Sequence, residues 1–131
     1  MASVPESHVS LINEGQVVTL ATVGADGFPQ VTAVWYAVDD DGVVAVSLNR
    51  ARQKTKNLIA NPKASLFFID PANPFKTLEI RSVVEILDDA NYAHAAKVNA
   101  KYGADLSTMD KPGESRVWVR FPALKVNTFG Q

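Results

Sequence analysis

The stretch Val44–Asn57, VAVSLNRARQKTKN, decides how this chain is read. It opens as a strand. Val44, Val46 and Leu48 alternate with Ala45, Ser47 and Asn49, the period of two that sends successive side chains to opposite faces. Its character then changes. Arg50, Arg52, Lys54 and Lys56 place a cation at every second position, and no carboxylate follows until Asp70. Gln53–Ala60 has the composition of a short helix, halted by Asn61-Pro62. A strand feeding a helix start leaves backbone N–H groups converging at the positive end of the helix dipole. Arg and Lys beside that point make a cradle for a phosphate. A basic run is more often a solvated face, because like-charge neighbours on an exposed helix cost only roughly 0.2–0.5 kcal/mol. The flanking sequence and the chemistry left open to the chain favour the cradle.

Upstream, Ser3–Glu14 reads as an opening helix. Ser3 and Glu6 are spaced as a capping box, Pro5 lies in the first turn, and Gly15 stops it. Gln16–Val23 is a short apolar strand. Gly24–Gly27 forms a turn, and Pro29–Val38 a second strand with Val31, Ala33, Trp35 and Ala37 on one face. Asp39-Asp40-Asp41-Gly42 is a tight turn that returns the chain into the strand ending at Leu48. Downstream, Ala64–Asp70 is a strand, and Pro71–Pro74 a loop. Phe75–Leu87 is a long strand or a pair bent near Arg81-Ser82. Asp88 or Asp89 caps a helix over Ala90–Tyr102, ended by Gly103. Ala104–Glu114 is a polar loop, Ser115–Phe121 a strand and Leu124–Phe129 a closing strand. On the strand ending at Phe121, Val117 and Val119 share one face and Trp118 takes the other. About six strands, mostly antiparallel, are expected to close into a small barrel, which removes exposed edges.

The totals bound the function. A length of 131 residues suits one domain over 1–131. Apolar residues make up 47%, enough for a core, and disorder is not expected. The net charge of −1 argues against a general nucleic-acid binder. With no cysteine, thiolate catalysis and cysteine-held metals are excluded. MASVPESH has neither the basic patch nor the apolar run of a secretory signal, and no stretch approaches the ~20 apolar residues of a membrane span. A cytoplasmic protein without membrane attachment is the expectation.

Acid–base and nucleophilic machinery is sparse. His8 and His94 both fall on expected helices, apart from any serine or carboxylate cluster, and read as surface residues. Asp39–Asp41 are consecutive rather than alternating, so they read as a solvated hairpin and not a calcium cage. No metal site is expected. There is no Walker loop and no GxGxxG after a strand. A chain poor in reactive groups but provided with a phosphate cradle is reconciled by a cofactor that carries the hard chemistry. Flavins fit, with an anionic tail for the cations and a flat ring for an apolar wall. Trp35, Tyr36 and Phe75 are candidate neighbours of such a ring, although core packing is the plainer reading of Trp35.

LATVGADGFPQVTAVWY (Leu20–Tyr36) and VAVSLNRARQKTKNLIANPKASLFF (Val44–Phe68) together resemble the pyridoxamine-phosphate-oxidase-like split β-barrels, which bind FMN or the deazaflavin coenzyme F420. The resemblance covers most of the chain and is specific for fold. The form Arg52-Gln53-Lys54-Thr55-Lys56-Asn57-Leu58 is similar to the actinobacterial F420-dependent flavin/deazaflavin oxidoreductases. By that resemblance Arg52 and Lys54 hold the tail phosphate, supported by Thr55, Lys56 and the backbone at Ser47 and Leu48. Gln30, Val31 and Thr32 line the deazaflavin ring. Two chains form a homodimer with sites at the interface, and Phe75, Lys76 and Thr77 occupy the segment lent to the partner's site. The chain is much shorter than the true pyridoxamine phosphate oxidases and is expected to lack their arginine-bearing substrate segment, so vitamin B6 oxidation is not expected. The resemblance implies an F420H2-dependent oxidoreductase that reduces an electron-poor acceptor such as an enone, quinone, coumarin-like lactone or tetrapyrrole. The alternatives are an FMN-binding flavin reductase or oxidase of the same fold, and a non-catalytic flavin or F420 carrier.

Overall fold

Alternation of inward and outward residues along Val18–Val23 is what builds the first strand in the computed structural model, which describes residues 2–131. Val18, Leu20 and Thr22 point inward and are buried, while Thr19, Ala21 and Val23 face out. This strand, β1 (Val18–Val23), pairs antiparallel with β2 (Pro29–Val34) and with β5 (Lys63–Asp70). With β6 (Asn73–Val83) and β9 (Lys125–Phe129) they form a five-stranded sheet in the order β2-β1-β5-β6-β9. The second sheet has four strands, β3 (Ala37–Val38), β4 (Val44–Asn49), β8 (Arg116–Phe121) and β7 (Glu85–Asp88), in the order β3-β4-β8-β7.

The two sheets enclose one core. Leu20, Leu66 and Leu78 of the first meet Val46, Val117 and Val119 of the second, all essentially without solvent contact. Each such side chain contributes about 1.5–3 kcal/mol by leaving water. Two bends carry the chain from sheet to sheet. The strand expected over Pro29–Val38 turns a corner at Trp35-Tyr36, dividing into β2 and β3. Tyr36 fills the corner, edge-on to Phe68 at 5.4 Å, with its hydroxyl donating to the Ile12 carbonyl at 2.5 Å. The long strand breaks at Val84 rather than at Arg81-Ser82. There the Val84 N–H donates to the Pro62 carbonyl at 2.8 Å. These corners explain why the described residues form nine strands in two sheets rather than about six in one barrel. Among the described residues the hydrogen bonding joins no strand of one sheet to a strand of the other, so the expected closed barrel is corrected to a pair of facing sheets.

Other expectations are revised by long-range contacts. The capping box does not form. Residues 3–5 lie outside any helix, a 3-10 turn covers Glu6–His8, and α1 spans only Val9–Asn13. The Pro71–Pro74 loop is tighter than expected, with Asn73 already paired to Asp70. The helix expected over Ala90–Tyr102, α3 (Ala95–Tyr102), starts late because buried Asp89 accepts from the His94 and Ala95 amides, both at 2.8 Å. Gly103 ends it at φ +63°, as expected. Helix α3 lies on the outer face of the four-stranded sheet, with Ala95 and Val98 against Ala37, Ala45 and Trp118. Trp118 thus faces away from Val117 and Val119, as the alternation predicts. The polar loop after it contains a 3-10 turn, Leu106–Met109, whose Leu106 joins that cluster.

Neither histidine is a plain surface residue. His8 is buried, with one ring nitrogen 2.8 Å from the Ser7 hydroxyl and Nε2 3.1 Å from the Phe129 carbonyl. His94 stacks on Trp118 at 5.6 Å. The Asp39 hairpin is not simply solvated either. Asp39 is buried and accepts from Lys97, Trp118 and Arg120. Among the described residues no helix is long and apolar enough to cross a membrane.

Candidate functional site

Strand β4 hands over to α2 (Gln53–Ala60) through a turn that Asn49 organises. Its Oδ1 accepts from the Ala51 N–H at 2.8 Å, and its carbonyl accepts from the Arg52 N–H at 3.1 Å. The Thr55 hydroxyl closes the turn by donating to the same carbonyl at 2.7 Å. Arg52 is the N-cap in extended conformation, so the helix opens immediately beside it. The first-turn amides of such a helix have no intrahelical acceptor. Asn57 anchors the other side of α2. Its Nδ2 donates to Thr22 Oγ1 at 3.0 Å and Gln30 Oε1 at 3.1 Å, and its Oδ1 accepts from Gln53 at 2.9 Å.

Beside this junction lies a cleft of about 170 Å³. Arg52, Lys54, Ser47, Asn49 and Arg116 supply its polar lining. Val34, Trp35, Leu48, Val98, Leu106 and Met109 supply the apolar lining. Trp35 stands at 36% exposure with one ring face stacked on Tyr102, the centroids 4.5 Å apart and the planes 3° from parallel. It is therefore a wall residue rather than a core residue, contrary to the plainer sequence reading. Tyr36 is wholly buried and Phe75 is 71% exposed, and neither lines this cleft.

The four cations separate. Arg50 turns away to pair with Asp88 at 3.0 Å, a carboxylate the linear sequence did not place nearby. Lys56 is exposed on α2. Among the described residues no carboxylate pairs with Arg52 or Lys54. The Lys54 ammonium donates to Thr32 Oγ1 at 3.3 Å, and burial followed by the Arg52 charge lowers its pKa. An anion between the two side chains would offset both effects.

The remaining expected residues divide by face. Gln30 and Thr32 point toward α2, whereas Val31 alternates to the outer face of the five-stranded sheet and is 60% exposed. Ser47 and Leu48 line the cleft, while the Thr55 hydroxyl is committed to the turn. Phe75, Lys76 and Thr77 lie on β6, three places from β2 in the sheet, and are not brought to this cleft within one chain. Sequence reasoning missed Asn49, Asn57, Asp110 and Arg116. An asparagine at a strand end, next to a turn, was the one signal that pointed to Asn49. Arg116 forms a two-pronged pair with Asp110, Nε to Oδ2 and Nη2 to Oδ1, both at 2.9 Å. Burial pushes the Asp110 carboxyl up, but bonds from Arg116, Tyr92 and Asn49 outweigh it and hold the pKa low.

Comparison with known proteins gives the same answer on lineage. Residues 4–128 match the family model described as pyridoxamine 5'-phosphate oxidase. A pyridoxine/pyridoxamine 5'-phosphate oxidase of Bradyrhizobium sp. is 35% identical over 127 residues, 94% of this chain and 58% of its own length. One from Rhodopseudomonas palustris is 37% identical over 115 residues, 85% of this chain and 53% of its own. The chain thus spans about half the length of these curated relatives. Among solved structures, an F420 reductase superposes with a TM-score of 0.81 at 36% identity, covering 95% of this chain and 98% of that one. A conserved hypothetical protein of Mycobacterium tuberculosis gives 0.78 at 28% identity, covering 97% and 85%. The heme storage protein HutZ of Vibrio cholerae shares the fold, with a TM-score of 0.76 at 21% identity over 95% of this chain and 94% of that one. A family match that runs nearly end to end, on a fold shared with these structures, places the chain in the pyridoxamine 5'-phosphate oxidase family.

Proposed function

We propose that this protein is an oxidoreductase that holds reduced coenzyme F420 at the β4–α2 junction and uses it to reduce an electron-poor organic acceptor. Conjugated enones, quinones, coumarin-like lactones and tetrapyrroles are the acceptor classes. The observation that carries the reading is the pair Arg52 and Lys54. They are unpaired by any carboxylate among the described residues, and they line a cleft whose opposite wall is apolar. That donor set fits a phosphate diester. The deazaflavin ring, when bound, supplies the hydride. The chain's own residues do the positioning. Arg52 and Lys54 hold the anionic tail, the Thr32 hydroxyl fixes the Lys54 ammonium, and Val34, Trp35, Leu106 and Met109 supply the apolar lining. Gln30, Val31 and Thr32 lie on β2, an edge strand, and would line the ring. The likeness to the F420 reductase, 36% identical with a TM-score of 0.81, supports F420 as the cofactor.

The second chain belongs to the same proposal. The outer face of the five-stranded sheet exposes Val31, Phe67, Ile69 and Phe129, with Phe75 at its margin. A homodimer through this face covers them and lends Phe75, Lys76 and Thr77 to the partner's site. FMN in the same cradle is the alternative cofactor, and a carrier without turnover the alternative role.

Titration of the purified protein with F420 and FMN side by side tests the cofactor. Lys54→Ala is expected to weaken binding by about 1.5–3 kcal/mol, or roughly 10–150-fold. Unchanged affinity removes Lys54 from the site. Tighter binding of FMN selects the alternative, and bound F420H2 that no acceptor oxidises selects the carrier.

A further inference from the structure

We propose that Arg116 is a third phosphate-binding group of the cleft, held in position by Asp110. Arg116 lines the cleft, yet it is only 8% exposed. Its guanidinium has donors to spare. Nε–H and one Nη2–H go to Asp110. Nη1 reaches only the Ser47 carbonyl and hydroxyl, at the long distances of 3.3 and 3.4 Å. The second Nη2–H has no acceptor among the described residues. The Ser47 hydroxyl accepts from Arg116, and its own proton is likewise free to donate. Buried donors normally find partners, and both residues line the cleft that Arg52 and Lys54 also line. A phosphate oxygen satisfies both.

Asp110 is the positioning residue. It accepts from Tyr92 at 2.9 Å and Asn49 at 2.9 Å as well as from Arg116, so its orientation is over-determined and the guanidinium fork cannot swing. Because Asp110 cancels the Arg116 charge locally, Arg116 acts through directed hydrogen bonds, whereas Arg52 and Lys54 act through net charge. The inference rests on the cleft being an anion site and not on which ring the anion carries.

Inorganic pyrophosphate, titrated calorimetrically into the full chain, is the probe. Arg116→Lys keeps the charge and loses the fork, and is expected to weaken pyrophosphate and FMN about five- to tenfold. Riboflavin, which has no phosphate, is expected to respond as it does to wild type. Asp110→Asn frees the fork and leaves the Arg116 charge uncancelled, so pyrophosphate binding is expected to become more salt-dependent than in wild type, and an unchanged salt dependence removes Asp110 as the positioning residue. Where Arg116→Lys unfolds, Arg116→Met combined with Asp110→Asn removes both charges together and repeats the test. Unchanged pyrophosphate affinity, equal losses for FMN and riboflavin, or a wild type that does not bind pyrophosphate each overturn the assignment. Pyrophosphate binding without any binding of F420 or FMN overturns the cofactor reading and leaves Arg116 in place.

Discussion

Removing the Asp39 carboxylate tests what holds α3, and with it one wall of the cleft, to the four-stranded sheet. Asp39 accepts from the Trp118 indole at 3.0 Å, from Arg120 Nη1 at 3.0 Å and from Lys97 at 2.6 Å. Asp39→Ala leaves the fully buried indole N–H without its acceptor, which costs about 1–3 kcal/mol. Arg120 keeps Asp41 and Glu85, so its loss is partial. The Lys97 side chain is 40% exposed, and that ion pair is screened to at most about 1 kcal/mol. The sum is about 3 kcal/mol. For 131 residues at about 2.1 cal/mol/K each, the unfolding entropy is about 0.28 kcal/mol/K, so Tm falls by about 10 °C. Asp39→Asn keeps an oxygen for the indole and is expected to lose roughly half as much. The pH dependence has a definite sign. Burial raises the Asp39 pKa, but bonds from Lys97 and Trp118 outweigh it and the net shift is downward. Stability from such an acid is complete above its unfolded value of about 3.9 and disappears as pH falls through the folded value. The gap between wild type and Asp39→Ala, read by urea unfolding with near-ultraviolet circular dichroism, should therefore narrow in acid to about the indole's share, because a protonated carboxyl still offers it an oxygen. A loss under about 1 kcal/mol near neutral pH, or a gap that keeps its full size in acid, refutes the reasoning.

Three further outcomes are expected. A Cβ at Gly15 would strike the Tyr36 hydroxyl and the Leu11 carbonyl, so Gly15→Ala should cost about 1–3 kcal/mol, and an unchanged melting temperature would show that the corner yields freely. Asn57→Leu removes the links from α2 to Thr22 and Gln30, together with the Gln53 bond within the helix, and strands a buried threonine hydroxyl. Amide exchange in α2 should accelerate with about 1–3 kcal/mol less protection, and unaltered exchange would dismiss Asn57 as the anchor. Ile69→Lys places a charge on the exposed apolar sheet face and should convert a dimer to monomer in sedimentation velocity. A wild type that already sediments as a monomer rejects that face as the contact.

The local features of this protein were legible from the amino-acid order alone. Alternation placed Val44–Asn49 in a strand, glycine marked the turn at Gly42 and the helix end at Gly103, and the basic run located the β4–α2 junction. Each of these follows from sterics and hydrogen bonds between residues a few positions apart, which the linear order records. Pairings between distant residues were decided only by tertiary structure. Asp88 neutralises Arg50 across 38 positions and removes it from the cleft. Trp118 reaches Asp39 across 79, which turns a hairpin carboxylate into a buried hub. Arg116 enters the cleft lining because β8 pairs with β4 over Val44–Asn49, opposite the strand that carries Ser47. A charge takes its role from whichever partner the fold delivers, and a strand keeps its direction only until the core on one side ends. That is why the bends at Trp35-Tyr36 and Val84, and the two sheets they create, emerged from packing rather than from the pattern of residues.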